Sequence, residues 1–177
     1  EVGLGGRLDA TNVLSPKLSI ITNVSIDHTN LLGDSIESIT KEKGGIIKKN
    51  TPILIGEKNT KTYILEDIAH SLNSTLFYAK KYNYDSDLKG SYQLKNINTC
   101  STAISILNNS GFDISMESVS KGFQNVVLNT GLTGRWQIIS NKPLVICDIA
   151  HNNAAIQDVF KQLSTYQKKK KIILGFS

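Results

Sequence analysis

Short continuous apolar runs at 18–21, 53–55, 144–147 and 172–174, each beside polar residues or glycine, constrain the fold of this chain more than any other feature. Runs this short and without alternation suit strands buried on both faces of a parallel sheet, and parallel strands need long crossovers between them. Helical patterns supply the crossovers. Asp34 or Ser35 can cap a helix carrying Ile36, Ile39, Ile46 and Ile47, and Ile64, Leu65, Ile68 and Leu72 mark a second. Ile97, Cys100, Ile104 and Leu107 mark a third, stopped near Gly111; Met116, Val119 and Phe123 a fourth; Val159, Phe160 and Leu163 a fifth that follows Asn152. This alternation predicts an α/β fold with a mainly parallel sheet.

The 177 residues can bury one good core or two small ones, because domains commonly run about 100 to 150 residues. The stretch Asn129-Thr-Gly131-Leu-Thr-Gly134 separates a helix from a fresh strand series beginning at Trp136, so a boundary is expected there. No apolar stretch approaches the roughly 20 residues needed to span a bilayer, and no signal peptide is visible, which predicts a soluble protein without membrane partners. Cys100 and Cys147 stand singly among apolar neighbours and read as small core hydrophobes in a reducing, cytoplasmic setting. The net charge of +5 suits anionic ligands. Part of it is the run Lys168-Lys-Lys-Lys171, which reads as a solvated turn before a strand; no aromatic–basic interleaving supports nucleic acid as a partner.

Three places break the local rules. The run Glu1-Val-Gly-Leu-Gly-Gly-Arg-Leu-Asp-Ala-Thr-Asn12 sets an acid and three glycines before a polar series with almost nothing to pack. A dinucleotide fingerprint would need its third glycine where Leu8 stands, so that reading fails on spacing. An acid at a strand end beside closely approaching backbone suits a hard cation such as Mg²⁺. A first residue that is not Met, already inside so dense a motif, implies a chain that begins partway through a larger protein. The second place follows the 18–21 strand, where Asp27 and His28 are expected at its carboxyl end; His28 taken alone reads more often as a hydrogen-bonded structural histidine than as a ligand, and its place after a strand and next to Asp27 narrows the odds. Lys41-Glu-Lys43-Gly-Gly-Ile-Ile-Lys48 then places two glycines inside a helical pattern, at a cost of about 2 kcal/mol relative to alanines, so a close approach or a bend is expected there. On composition alone Lys43 is a surface charge. The third place is Asp148-Ile-Ala-His151-Asn152, an acid at a strand end and a plausible helix N-cap, which suits an anion or a ribose.

In order and spacing these motifs resemble the bifunctional folylpolyglutamate synthase and dihydrofolate synthase family of the Mur ligase group. Residues 1–12 resemble its Glu-Val-Gly-x-Gly-Gly-Arg-x-Asp-Ala-Thr-Asn, followed by Ile20-Ile-Thr-Asn-Val-Ser-Ile-Asp27-His28-Thr, Leu32-Gly33, Glu42-Lys43-Gly-Gly-Ile-Ile-Lys48, Gly90-Ser-Tyr-Gln93-x-x-Asn96, Gly134-Arg135-Trp136 and Asp148-Ile-Ala-His151-Asn152. The likeness spans essentially the whole chain and is weaker from 59 to 89. It implies that residues 1–130 form the second half of a P-loop-type parallel-sheet ATPase domain, and that 131–177 begin a Rossmann-like α/β C-terminal domain.

The resemblance further implies an ATP-dependent amide ligase that joins glutamate to dihydropteroate or folate through an acyl phosphate, with two Mg²⁺ ions and ATP as co-substrate, acting as a monomer at full length. In that frame Glu1 and His28 are metal ligands, and both are catalytic together with Lys43, which matches a carbamylated lysine. The glycines beside Lys43 would let the helix approach phosphate. Asn96 matches an adenine contact, Arg135 and Asp148 match phosphate-side and ribose-side contacts, and His151 lies beside them. Arg7, Leu8, Asp9 and Ala10 correspond to substrate-binding residues, the last three lining a pterin pocket. Three positions depart from the pattern: Ile149 where glycine is usual, Gly44 for Ala and Thr133 for Pro. No Gly-x-x-x-x-Gly-Lys-Ser/Thr and no Gly-Thr-Asn-Gly-Lys-Gly-Ser occurs, so the phosphate loop would precede Glu1, the C-terminal domain would be truncated, and the piece alone would be inactive. Two alternatives remain: a ligase of the same group acting on a UDP-muramyl precursor, and a non-catalytic nucleotide-binding module.

Overall fold

The computed structural model describes residues 1–26, 29–167 and 169–175. Strands β1 (Ser19–Ile21), β2 (Ile53–Ile55) and β3 (Leu76–Tyr78) form a parallel sheet in the order β1-β2-β3, with Ile20 opposite Leu54 and Leu54 opposite Phe77. The first crossover holds α1 (Thr29–Leu32) and α2 (Ile36–Gly44), and the second holds α3 (Thr62–Ser71). After β3 the chain enters α4 (Gln93–Asn109), then α5 (Met116–Gln124) and α6 (Val126–Thr130).

The central strand explains why its sequence does not alternate. Ile53 and Ile55 pack with Ile21, Ile47, Leu65 and Ala69 on one face, whereas Leu54 meets Ala103 and Ile106 of α4 on the other. Each buried leucine or isoleucine contributes about 1.5–3 kcal/mol by leaving water. β3 escapes the apolar-run criterion because Leu76, Phe77 and Tyr78 are only half-buried at the sheet's edge.

The helix expected to carry Ile46 and Ile47 ends sooner. Ser35 and Ser38 form a capping box at the start of α2, and the helix stops at Gly44 with Gly45 as its C-cap. The glycine pair therefore sits at a helix end, and the expected interior cost does not arise. A Cβ on Gly44 would lie 2.7 Å from Ile68 Cδ1 of α3, and one on Gly45 would lie 2.6 Å from the Cα of Arg7. The close approach is thus made by α3 and by the loop carrying Arg7.

The later elements correct three expectations. The run 144–147 is β5 (Leu144–Cys147), but it pairs antiparallel with β4 (Gln137–Asn141) as a two-stranded ribbon, leaving Leu144 46% and Val145 41% exposed. The run 172–174 forms no strand, and Ile173 is 95% exposed; among the described residues no neighbouring strand pairs with it. Cys100 is exposed and Cys147 half-buried, so neither is a core residue. The glycine-rich stretch at 129–134 begins inside α6 and becomes irregular from Gly131, the C-cap of that helix. Helix α7 (Asn153–Ser164) follows Asn152 as expected. No described helix is long and apolar enough to cross a membrane.

Candidate functional site

The segments that follow β1 and β2 open onto a cleft of about 790 Å³. Ligands of open α/β sheets are held at such strand ends. Glu1, Lys43, Asn96, Arg135, Asp148 and His151 all line this cleft. Arg7, Leu8, Asp9 and Ala10 are not among its lining residues, and Leu8 is 79% exposed. Asp27 and His28 lie outside the described residues. The first nine residues form no strand, so Glu1 reaches the cleft from a loop.

That loop is organised by its own polar groups. The Asp9 carboxylate accepts hydrogen bonds from Gly3 N (2.9 Å), Leu4 N (3.3 Å), Thr11 N (2.9 Å) and the Thr11 hydroxyl, and it caps a 3-10 helix at Ala10–Val13. The Thr11 hydroxyl, then the Thr11 and Leu4 amides, favour the ionised form and bring the Asp9 pKa down to about 2. Arg7 pairs with Glu42 through Nη2 (2.9 Å) and Nε (3.0 Å), and its amide donates to the Glu42 carbonyl (3.0 Å). Asn12 Nδ2 donates to the carbonyls of Arg7 (3.0 Å) and Gly45 (3.1 Å). Asp9 thus ties the loop to itself, while Arg7 and Asn12 dock it to the end of α2, beside Lys43.

A pH dependence follows with a definite sign. Because the folded Asp9 pKa is depressed, its contribution is complete above the ordinary carboxylate pKa of 3.8 and is lost as pH falls towards 2. Protection of the Gly3, Leu4 and Thr11 amides, measured against their intrinsic exchange at each pH, should fall across that window in the native chain. In Asp9→Ala, which has no side-chain acceptor, protection of these amides should be lost already at pH 5, with no further step on acidification.

The opposite wall is built on β5 and α7. Asp148 Oδ2 accepts from the Tyr92 hydroxyl (2.6 Å) and from Trp136 N (2.8 Å), and Oδ1 accepts from Ala150 N (2.9 Å). Burial, and then the bond to Asp148, push the Tyr92 phenol well above its usual pKa, so it remains a donor at neutral pH. Asn152 Oδ1 accepts from Ala155 N (2.9 Å) at the start of α7, and Asn152, Ala154 and Ala155 line the cleft, so the positive end of this helix dipole borders it. The His151 ring nitrogen Nδ1 lies 3.2 Å from the Ile149 carbonyl, and Ile149 also borders the cleft.

Across the floor, Lys95 pairs with Glu57 at 2.7 Å, Asn96 Nδ2 donates to Gln93 Oε1 (2.8 Å), and Asn59 Nδ2 ties the segment after β2 to the Val24 carbonyl (3.2 Å). Lys43, Lys58, Lys95 and Arg135 supply positive charge, and Glu1, Glu57, Asp148 and Asp158 supply carboxylates. A polyanion with a polar sugar suits such a mixture. Among the described residues no group of three or more His, Cys, Asp or Glu could by itself hold a metal ion. Mg²⁺ needs less from protein, since one or two carboxylates plus phosphate and water complete its shell, so a cleft containing Glu1 fits it. Sequence reasoning missed Glu57, Tyr92 and Lys95. Tyr92 and Lys95 lie inside the quoted segment 90–96, but neither carries a spacing signal of its own.

No protein-family model matches the chain. The dihydrofolate synthase/folylpolyglutamate synthase of Buchnera aphidicola (strain APS) is 38% identical over 169 residues, covering 88% of this chain and 40% of that protein. The structure of E. coli FolC in complex with DHPP and ADP superposes with a TM-score of 0.77 at 29% identity, covering 96% of this chain and 43% of that one. A bifunctional folylpolyglutamate synthase/dihydrofolate synthase from Yersinia pestis, complexed with AMPPNP and Mn ion, gives 0.74 at 29% identity over 93% of this chain and 42% of its own. The chain thus spans about two fifths of the length of the relatives it matches.

Proposed function

The chain belongs to the dihydrofolate synthase/folylpolyglutamate synthase family, and from that premise we propose that it forms part of the nucleotide cleft of an ATP-dependent ligase joining glutamate to dihydropteroate or folate. The observation that carries this reading is the convergence of Glu1, Lys43, Asn96, Arg135, Asp148 and His151 on one cleft. In the reaction a substrate carboxylate attacks the γ-phosphorus of ATP, ADP leaves, and the acyl phosphate is then attacked by the glutamate amine with release of phosphate. Catalysis of this kind is mostly positioning and electrostatics.

Residues 1–130 serve as the second half of the ATPase domain and 131–177 as the start of the C-terminal domain. Asn96 takes the adenine, Asp148 and His151 the ribose side, and Arg135 with the amino end of α7 the phosphates. Glu1, and His28 outside the described residues, would hold Mg²⁺, which when bound would neutralise charge on the transferring phosphoryl group. Unprotonated Lys43 takes up CO₂ at Nζ with release of a proton, and the resulting carbamate adds an anionic oxygen donor to the cleft that Glu1 also lines. The full-length protein acts as a cytoplasmic monomer on small molecules.

Calorimetric titration of ADP with Mg²⁺ into the chain should give weak binding, reduced about 10-fold in Arg135→Ala through loss of a charge-assisted phosphate contact. No heat of binding at millimolar ADP would overturn the nucleotide reading. With ATP, glutamate and dihydropteroate the chain alone should release no phosphate; release would contradict its dependence on further segments. Intact mass in Mg²⁺ and bicarbonate should show an increment of one CO₂ that is absent from Lys43→Arg, and an unmodified lysine would remove the carbamate from the scheme.

A further inference from the structure

Tyr92 stands at the N-cap of α4, yet its side chain makes no capping bond to that helix. Its hydroxyl instead crosses to Asp148 at the end of β5, the carboxylate that also accepts the amide of the buried Trp136. The ring folds back over Gly90, where a Cβ would lie 2.6 Å from Tyr92 Cζ and 3.0 Å from its hydroxyl oxygen. A second tie runs beside it: Ser91 N donates to Gln162 Oε1 (2.6 Å) and Gln162 Nε2 donates to the Lys89 carbonyl (2.9 Å), joining residues 89–91 to α7.

A carboxylate offers about four acceptor positions. Among the described residues, Asp148 has both positions of Oδ2 filled by Tyr92 and Trp136 and one position of Oδ1 filled by Ala150, which leaves a single position on Oδ1 for a ligand hydroxyl. We propose that Tyr92 is a positioning residue: its hydroxyl fixes Asp148 to the helix that carries Asn96, so the base-side and sugar-side walls meet a nucleoside diphosphate in one register and its ribose hydroxyls are read. The proposal rests on the nucleotide reading of the cleft. Tyr92 touches no substrate in this scheme, and its effect passes through Asp148.

The test compares binding of ADP, 2′-deoxy-ADP and 3′-deoxy-ADP to the full chain. The native protein should prefer ADP to the weaker deoxynucleotide by about 10-fold, the value of one hydrogen bond to a charged acceptor. In Tyr92→Phe the preference should fall to about 2-fold or less, while in Asp148→Asn it should be small already and fall no further when Tyr92→Phe is added. Gly90→Ala keeps the hydroxyl but displaces the ring, and should lower the preference as well. A merely structural tyrosine would weaken all three nucleotides equally and leave the ratio at its native value, which would overturn the proposal. A native protein that binds ADP without hydroxyl preference would overturn it too, with the nucleotide reading intact. Failure to bind any of the three would remove both. Should the variants not fold, amide exchange in the native chain decides: ADP should protect the Trp136 and Ala150 amides more than either deoxynucleotide, and equal protection would count against the proposal.

Discussion

Leu54→Ala will lower the free energy of unfolding by about 2–5 kcal/mol, the range for leucine truncation in a packed core. Leu54 is fully buried in the central strand, and its side chain alone from that strand faces Ala103 and Ile106 of α4. Leu18 and Phe77 are partly buried against the same cluster and cannot close the gap without moving β3 and the segment that enters β1. The cavity would open about two turns of helix beyond Asn96, so nucleotide affinity of the folded fraction should stay within about 2-fold of native. Urea denaturation with ADP titration checks both halves. A loss under about 1 kcal/mol would mean that α4 is not seated on β2.

The part of the fold legible in the sequence is the part with two-sided burial. Ile53, Leu54 and Ile55 read as a buried parallel strand because α3 and the segment after α2 that carries Ile47 cover one face and α4 the other, so each residue had to be apolar. The run 144–147 looks the same in one dimension but is half of an exposed antiparallel ribbon. A run of three or four residues says that strand is favoured and says nothing about the partner, which lies elsewhere in the chain. Gly44 and Gly45 illustrate a second limit. Their rarity inside a helical pattern signalled a close approach, but what approaches is Ile68 and Arg7, neither of which could be inferred from local spacing.

The site divides along similar lines. Lys43 near the end of α2, Asn96 in the first turn of α4, and Arg135, Asp148 and His151 in the irregular segments around β4 and β5 were singled out by motif order and share one cleft. Arg7 and Asp9 carried an equally strong compositional signal but do not line that cleft: Asp9 bonds within its own loop and Arg7 to Glu42, and loops that bond to themselves draw on the same small, polar and charged residues as loops that bind a ligand. Only three-dimensional partners separate the two cases. Tyr92 shows the converse: a single aromatic ahead of a helix has no periodicity to betray that its hydroxyl reaches Asp148 from 56 residues away.

Gly56→Ala should damage stability and binding together, in contrast to Leu54→Ala. Gly56 follows β2 directly, and its amide donates to the Ile21 carbonyl at 2.8 Å, continuing the strand pairing to the cleft's edge. A Cβ there would lie 2.3 Å from the Thr22 carbonyl oxygen and 2.6 Å from Thr99 Oγ1. The hydroxyl can rotate away, but the Thr22 oxygen is backbone and can yield only if the end of β1 moves. Overpacking of this kind costs about 1–3 kcal/mol. The displaced segments are those that border the cleft, with Thr22 and Asn23 on one side and Glu57, Lys58 and Asn59 on the other. The Asn59 bond to Val24 and the Glu57 pair with Lys95 would be carried out of register with them. ADP affinity should therefore fall about 10-fold or more, as expected when several polar contacts are misplaced at once. Binding that stays native in a destabilised Gly56→Ala protein would show that the ends of β1 and β2 form no part of the nucleotide's seat.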